Sequence, residues 1–181
     1  MLDNFPGWMN SGPVTADSGV SCDAMRLKSD DLTDARVVSL LAEHLATMRR
    51  ISPPESVHAL DLPALRATGI TFWTAWDGEE LLGCGALKEL DAFSGEIKSM
   101  HTAQVHRGRG VGSKILRQII DEAGRRGYRR LLLETGSQPE FAPAHAMYQG
   151  FGFRFCGPFA DYVDDPNSVF MTASVGPASP A

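Results

Sequence analysis

The chain has 181 residues, 43% of them hydrophobic, and a formal charge of −5 from 17 basic and 22 acidic side chains. That length buries about two thirds of the unfolded surface, so a single core needs neither metal nor disulfide. No run approaches the roughly 18 apolar residues of a membrane span, and an acidic balance argues against a surface built to grip nucleic acid. Neither a membrane nor a nucleic-acid partner is expected.

The average charge hides a reversal. Residues 104–130 carry eight basic side chains (Arg107, Arg109, Lys114, Arg117, Arg125, Arg126, Arg129, Arg130) against Asp121 and Glu122. Such an island in an acidic chain should meet an anion. Cys22, Cys84 and Cys156 are odd in number, lack CxxC spacing and have no companion His cluster. They read as reduced thiols in a cytoplasmic protein rather than as a disulfide frame or metal site.

Residues 1–24 are rich in Gly, Pro, Ser and Asp, contain no Lys or Arg, and show no periodicity. They read as a loosely ordered tail without a secretory signal. Residues 25–175 read as a single domain and 176–181 as a frayed end. A short strand is expected at 25–28, followed by a helix capped within 31–33 and running to 49, with Val37, Leu41, Leu45 and Met48 on its buried face. Ser52-Pro53-Pro54 stops it. A short helix at 62–67 precedes a hairpin, in which strands 70–76 and 81–90 flank an Asp77-Gly78 turn. A strand follows at 96–102. The stripe Val111, Ile115, Leu116, Ile119, Ile120 and Ala123 predicts a helix over 111–126, stopped by Gly127. RRLLLET at 129–135 reads as a buried central strand. A helix at 144–149 and strands at 153–156 and 168–174 complete an α/β or α+β domain with a mixed sheet.

The informative segment is Arg107-Gly108-Arg109-Gly110-Val111-Gly112-Ser113, between a strand and a helix. Glycines let successive amides turn into one concavity, the helix N-terminus favours negative charge, and the flanking arginines attract it. A phosphate or pyrophosphate is the expected ligand. A Walker A loop fails because no Lys-Ser/Thr follows at the required place, and a Rossmann fingerprint fails at Ser113 or Ile115. A (Gln/Arg)-x-x-Gly-x-(Gly/Ala) turn is satisfied by Arg107, Gly110 and Gly112.

With GEIKSM before this turn, GSKIL in its helix, RRLLLET as the next strand and AMYQGFGF beyond, the sequence resembles the GNAT superfamily of acyl-CoA-dependent N-acetyltransferases over residues 26–173. The resemblance implies a mixed, mostly antiparallel central sheet flanked by helices on both faces, with one strand pair splayed to hold the pantetheine arm of acetyl-CoA. It assigns that arm to Met100, His101 and Thr102, and the pyrophosphate to the amides of Arg107, Gly108, Arg109, Gly110, Val111, Gly112 and Ser113. An Asn that many relatives carry about seven residues before the catalytic Tyr is replaced by Phe141. Tyr148 is the implied general acid. Its phenol, with an ordinary pKa of about 10, can protonate a leaving thiolate whose parent thiol lies near 8.5. Glu96 is the implied general base, with His101 and Glu134 next in line. The implied reaction moves an acetyl group directly to a primary amine of a small molecule or peptide, with no metal. Residues 43–58 and 157–167 are expected to select that acceptor, and many relatives form homodimers. The alternative is an inactive acyl-CoA-binding sensor or scaffold.

Overall fold

The computed structural model describes residues 25–56, 58 and 61–176. The tail expected at 1–24, and residues 177–181 of the expected frayed end, lie outside the described residues. The strands are β1 (Arg26–Ser29), β2 (Ile70–Asp77), β3 (Glu80–Asp91), β4 (Ser94–Thr102), β5 (Arg130–Gly136), β6 (Arg154–Cys156) and β7 (Ser168–Ser174); the helices are α1 (Ala35–Ile51), α2 (Leu62–Leu65), α3 (Val111–Arg125) and α4 (Ala142–Gly150). All the strands join one sheet in the order β1-β2-β3-β4-β5-β7-β6. Every neighbouring pair is antiparallel except β4 and β5.

Local chemistry sets the boundaries. Asp31 turns back on Thr33, which leaves Asp34 as the N-cap of α1, its carboxylate accepting the Arg36 amide at 2.8 Å. The helix therefore starts later than the sequence suggests, because two nearby carboxylates compete for the same capping work. In α3, Val111, Ile115, Leu116, Ile119 and Ala123 are buried and pack on one face of the sheet with Leu82, Leu87, Ile97, Leu131 and Leu133. Each large apolar side chain so buried stabilises the fold by about 1.5–3 kcal/mol. The opposite face is covered by Val37, Leu40 and Leu41 of α1 against Phe72, Trp76 and Ala86. The expected Leu45 and Met48 lie further along α1, where the helix leaves the core and is only half-buried.

One irregularity positions everything that follows. Between β3 and β4, Ala86 pairs with Lys98 and Cys84 with His101, so Ser99 and Met100 together oppose Gly85. Ser99 takes a φ of 51°, which marks the extra residue of a β-bulge. The bulge resets the alternation: Cys84 and Ala86 share a face, so Lys98 and His101 also share one, although three residues separate them. Met100 points the other way, close to Ile115. The pairing of β4 with β5 stops at Ile97 and Leu133. Beyond that point β4 continues along β3 to Thr102, while β5 continues along β7 to Gly136. The two parallel strands thus fork.

Gly85 sits under the bulge, where an added Cβ would fall 2.6 Å from the Met100 sulfur and 2.7 Å from an Ile115 methyl. Gly85→Ala is expected to lower folding stability by about 1–3 kcal/mol through overpacking, measurable as a lower urea midpoint with an unchanged slope.

Candidate active site

The fork opens into a cleft of about 680 Å³. One wall is the free edge of β4, from Lys98 through Met100, His101 and Thr102; the facing wall is Glu134, Thr135 and Gly136 of β5. Strand edges without a partner present amide and carbonyl groups at regular spacing, which an amide-bearing arm can pair. Phe141, at the place of the expected Asn, lines the cleft and packs so closely over Gly136 that an added Cβ there would meet its ring at 2.2 Å. An apolar ring replaces an amide contact at that corner.

At the end of β4, a 3-10 turn (Gln104–His106) leads into the glycine turn. Gly108 and Gly110 have φ of 76° and 81°, and Gly110 caps α3 from the left-handed region. A side chain with a Cβ resists that backbone, which explains glycine at both positions. Val111, Gly112 and Ser113 form the first turn of α3 and line the cleft, and first-turn amides have no acceptor within their own helix. Arg107 and Gly108 also line it, whereas Arg109 lies off this wall. The rear of the basic island is occupied elsewhere. Arg126 donates to Glu122 at 2.8 Å and to Thr71 at 2.7 Å, and Arg129 lies over the Phe93 ring.

Tyr148 stands on α4, with its ring buried against Phe153 and lining the cleft. Burial raises its phenol above the ordinary value of 10, and the Glu134 charge adds to the rise. Its hydroxyl has no hydrogen-bond partner among the described residues, so the proton is retained and available to the cleft.

The two candidate carboxylates have different surroundings. Glu96 is buried, 1% exposed. It accepts from the Tyr162 hydroxyl at 2.6 Å and pairs with Lys98 at 3.2 Å and Lys88 at 3.9 Å. It is absent from the cleft wall. Glu134 lines the cleft and accepts a 2.7 Å hydrogen bond from Ser168. Burial holds its carboxyl above the ordinary carboxylate range; the Ser168 hydrogen bond and the charges of His58 and Lys98 oppose that rise, and Glu96 reinforces it. The acceptor loop expected at 157–167 supplies no cleft wall either. Phe159 and Tyr162 instead pack with Phe170 behind it, at ring distances of 5.0–5.9 Å. Residues of α1 and the segment after it, among them His44, Thr47, Ser52 and His58, do line the cleft.

Sequence periodicity carries no sign of the pair His44 and His101, whose rings meet at a 42° tilt with centroids 4.7 Å apart. Burial, with Arg107 close by, lowers their pKa values to about 4 and about 3. His44 Nδ1 and His101 Nε2 are buried without a partner. Both rings are neutral at physiological pH.

Residues 37–153 match the acetyltransferase (GNAT) family. A Bacillus subtilis N-acetyltransferase, YsnE, of uncharacterised function, is 60% identical over 148 residues, covering 82% of this chain and 98% of its own. The Escherichia coli protein YedL, likewise an uncharacterised N-acetyltransferase, is 50% identical across 82% of this chain and 94% of its own. An acyl-CoA N-acyltransferase structure from Klebsiella pneumoniae superposes at TM-score 0.69 with 27% identity, over 84% of this chain and 98% of that one. A GNAT acetyltransferase from Elizabethkingia anophelis with acetyl-CoA bound shares the fold at TM-score 0.63 and 18% identity, over 84% and 99%. With its forked sheet and glycine turn, the chain belongs to the GNAT family and is an acetyltransferase. No helix among the described residues is long and apolar enough to cross a membrane.

The histidine pair links stability to acid. The unfolded chain protonates these rings near pH 6.5, whereas the folded rings refuse protons until about 4 and about 3. Stability is therefore expected to fall as pH drops from about 6.5 toward 4, by on the order of 1 kcal/mol per ring per pH unit. Urea unfolding at a series of pH values checks this, and His101→Gln should flatten the slope by about half.

Proposed function

We propose that the protein transfers an acetyl group from acetyl-CoA to a primary amine of a small molecule or peptide, by direct attack in a ternary complex. The observation that carries this reading is the fork of β4 and β5, into which the glycine turn, the Tyr148 phenol and the Glu134 carboxyl all open. Bound acetyl-CoA supplies an activated thioester. Around it, the free edge at Met100, His101 and Thr102 pairs the pantetheine arm, and the amides of Val111, Gly112 and Ser113 hold the pyrophosphate beside Arg107. A backbone amide of the bulged strand, Met100 or His101, faces the carbonyl oxygen and steadies charge developing there.

An ammonium has no lone pair, so the acceptor must surrender a proton. Glu96 is poorly placed to take it directly, because Lys98 and Tyr162 already hold its carboxylate outside the cleft wall. Glu134 takes that role: it faces the cleft, carries one neutral hydrogen bond, and binds a proton more readily than an exposed carboxylate. Its charge also draws a cationic acceptor to the fork. Tyr148 returns a proton to the departing thiolate, and its raised pKa keeps that proton in place throughout the working range.

A panel of amino acids, polyamines, aminoglycosides and N-terminal peptides, followed by thiol release from acetyl-CoA, tests the reading. Release with at least one amine is expected; acetyl-CoA binding with no release would turn the protein into a sensor or scaffold. With the best amine, Tyr148→Phe should lower kcat by about 100-fold with little change in KM. Glu134→Gln should cause a similar loss and remove the acid limb of the pH profile, since activity in the parent falls as pH drops through the raised Glu134 pKa. Glu96→Gln should keep that limb.

A further inference from the structure

Lys98 is a buried ammonium at the throat of the fork, 7% exposed, and it lines the cleft. Of its three N–H groups, one donates to the Tyr162 hydroxyl oxygen at 2.7 Å and one to the His58 carbonyl at 3.1 Å, and the charge pairs with Glu96 Oε1 at 3.2 Å. Its charge and most of its donors are thus committed within the protein. The partners come from three parts of the chain. Glu96 shares β4 with Lys98, Tyr162 belongs to the loop between β6 and β7, and His58 belongs to the segment after α1. Tyr162 closes the ring by donating to the same Glu96 oxygen at 2.6 Å, and the His58 ring meets the Tyr162 ring edge-on at 5.0 Å.

We propose that Lys98 is the positioning residue of the acceptor pocket, tying the segment after α1 and the β6–β7 loop to the forked strand, so that acceptor binding depends on it and acetyl-CoA binding does not. The inference builds on the transfer reading above. The acceptor half of the cleft takes its wall from the segment that His58 anchors, whereas the cofactor half is built from β4 beyond the bulge, the glycine turn and α3. Only the first is attached through Lys98. Lys98 neutralises Glu96, and an uncompensated second carboxylate at the fork would push Glu134 further toward its protonated form.

The test compares Lys98→Met, Tyr162→Phe and the double variant Lys98→Met/Glu96→Gln with the parent, using the best amine. Lys98→Met is expected to raise the acceptor KM by about tenfold or more while the acetyl-CoA KM changes less than about twofold. Tyr162→Phe, which keeps the ion pair but loses one tether, should raise the acceptor KM a few-fold. Lys98→Met leaves buried Glu96 with only the more distant and exposed Lys88, at 3.9 Å, as counter-charge and should melt at a lower temperature; the double variant removes that charge and should recover Tm yet keep the raised acceptor KM. Recovery of acceptor KM in the double variant, or an equal rise in both KM values, would overturn the proposal. Hydrogen exchange supplies a readout that needs no turnover: the backbone amides around His58 and Tyr162 should exchange about tenfold faster together in the double variant. Unchanged exchange at both would also overturn the proposal. A parent with no thiol release from any amine, but with that paired change in exchange, removes the transfer reading while the tether stands.

Discussion

One extra residue in β4 governs the site. Because Ser99 and Met100 together oppose Gly85, the strand bends away from β5, and the only parallel pairing in the described sheet ends after four residues. An intact parallel ladder would bury the edge groups of both strands in hydrogen bonds to each other. The bulge leaves them facing a cleft. It also turns His101 onto the face of Lys98 and sends Met100 down toward α3, so the same backbone distortion that opens the strands sets which side chains share the face of Lys98 and which turn toward the core under α3. The φ of 51° at Ser99 is a conformation that a non-glycine residue holds only where its surroundings over-determine it. Here β3 on one side, and α3 packed beneath Gly85, supply that constraint.

Electrostatics then divides the cleft. Beside the glycine turn, first-turn amides of α3 and Arg107 offer positive potential. At the throat of the fork stand two carboxylates, one paired with an internal ammonium and the other held by a neutral hydroxyl. Between the two ends stands a phenol that keeps its proton and a pair of imidazoles that refuse one. Burial raises the acids and lowers the bases, and both shifts leave the groups uncharged except where a partner is built in.

Much of this was legible in the residues. The apolar stripe of α3, the Asp77-Gly78 hairpin, the buried run at 130–135 and the glycine turn each follow a local rule, and each forms close to its expected place. The family resemblance pointed to Met100–Thr102, the glycine turn and Tyr148, which the fold brings to one cleft. What sequence alone could not supply was facing. Simple alternation along β4 fails at the bulge, which hides the facing of His101; the difference between Glu96, tied to Lys98 and Tyr162, and Glu134, open to the cleft, depends on tertiary partners that leave no compositional trace. The loop at 157–167 misled for a related reason: its aromatic and acidic residues suggest a pocket wall, but Phe159 and Tyr162 find Phe170 and the ion pair, and act from behind. His44 and His101 meet through tertiary packing across 57 positions of chain, beyond the reach of any local pattern.

The position of β7 has a consequence for how the enzyme is made. It is the last strand in sequence among the described residues, yet it lies inside the sheet, between β5 and β6, and it carries the Ser168 hydroxyl that donates to Glu134. As the chain grows from its N-terminal end, the hairpins, α3 and the glycine turn all emerge first, so the cofactor limb can take shape while synthesis continues. The Glu134 carboxyl gains its hydrogen bond only when β7 pairs with β5, and β6 joins the sheet only through β7. One strand thus carries two loads: fraying of β7 would loosen the Glu134 carboxyl and detach β6 from the sheet together.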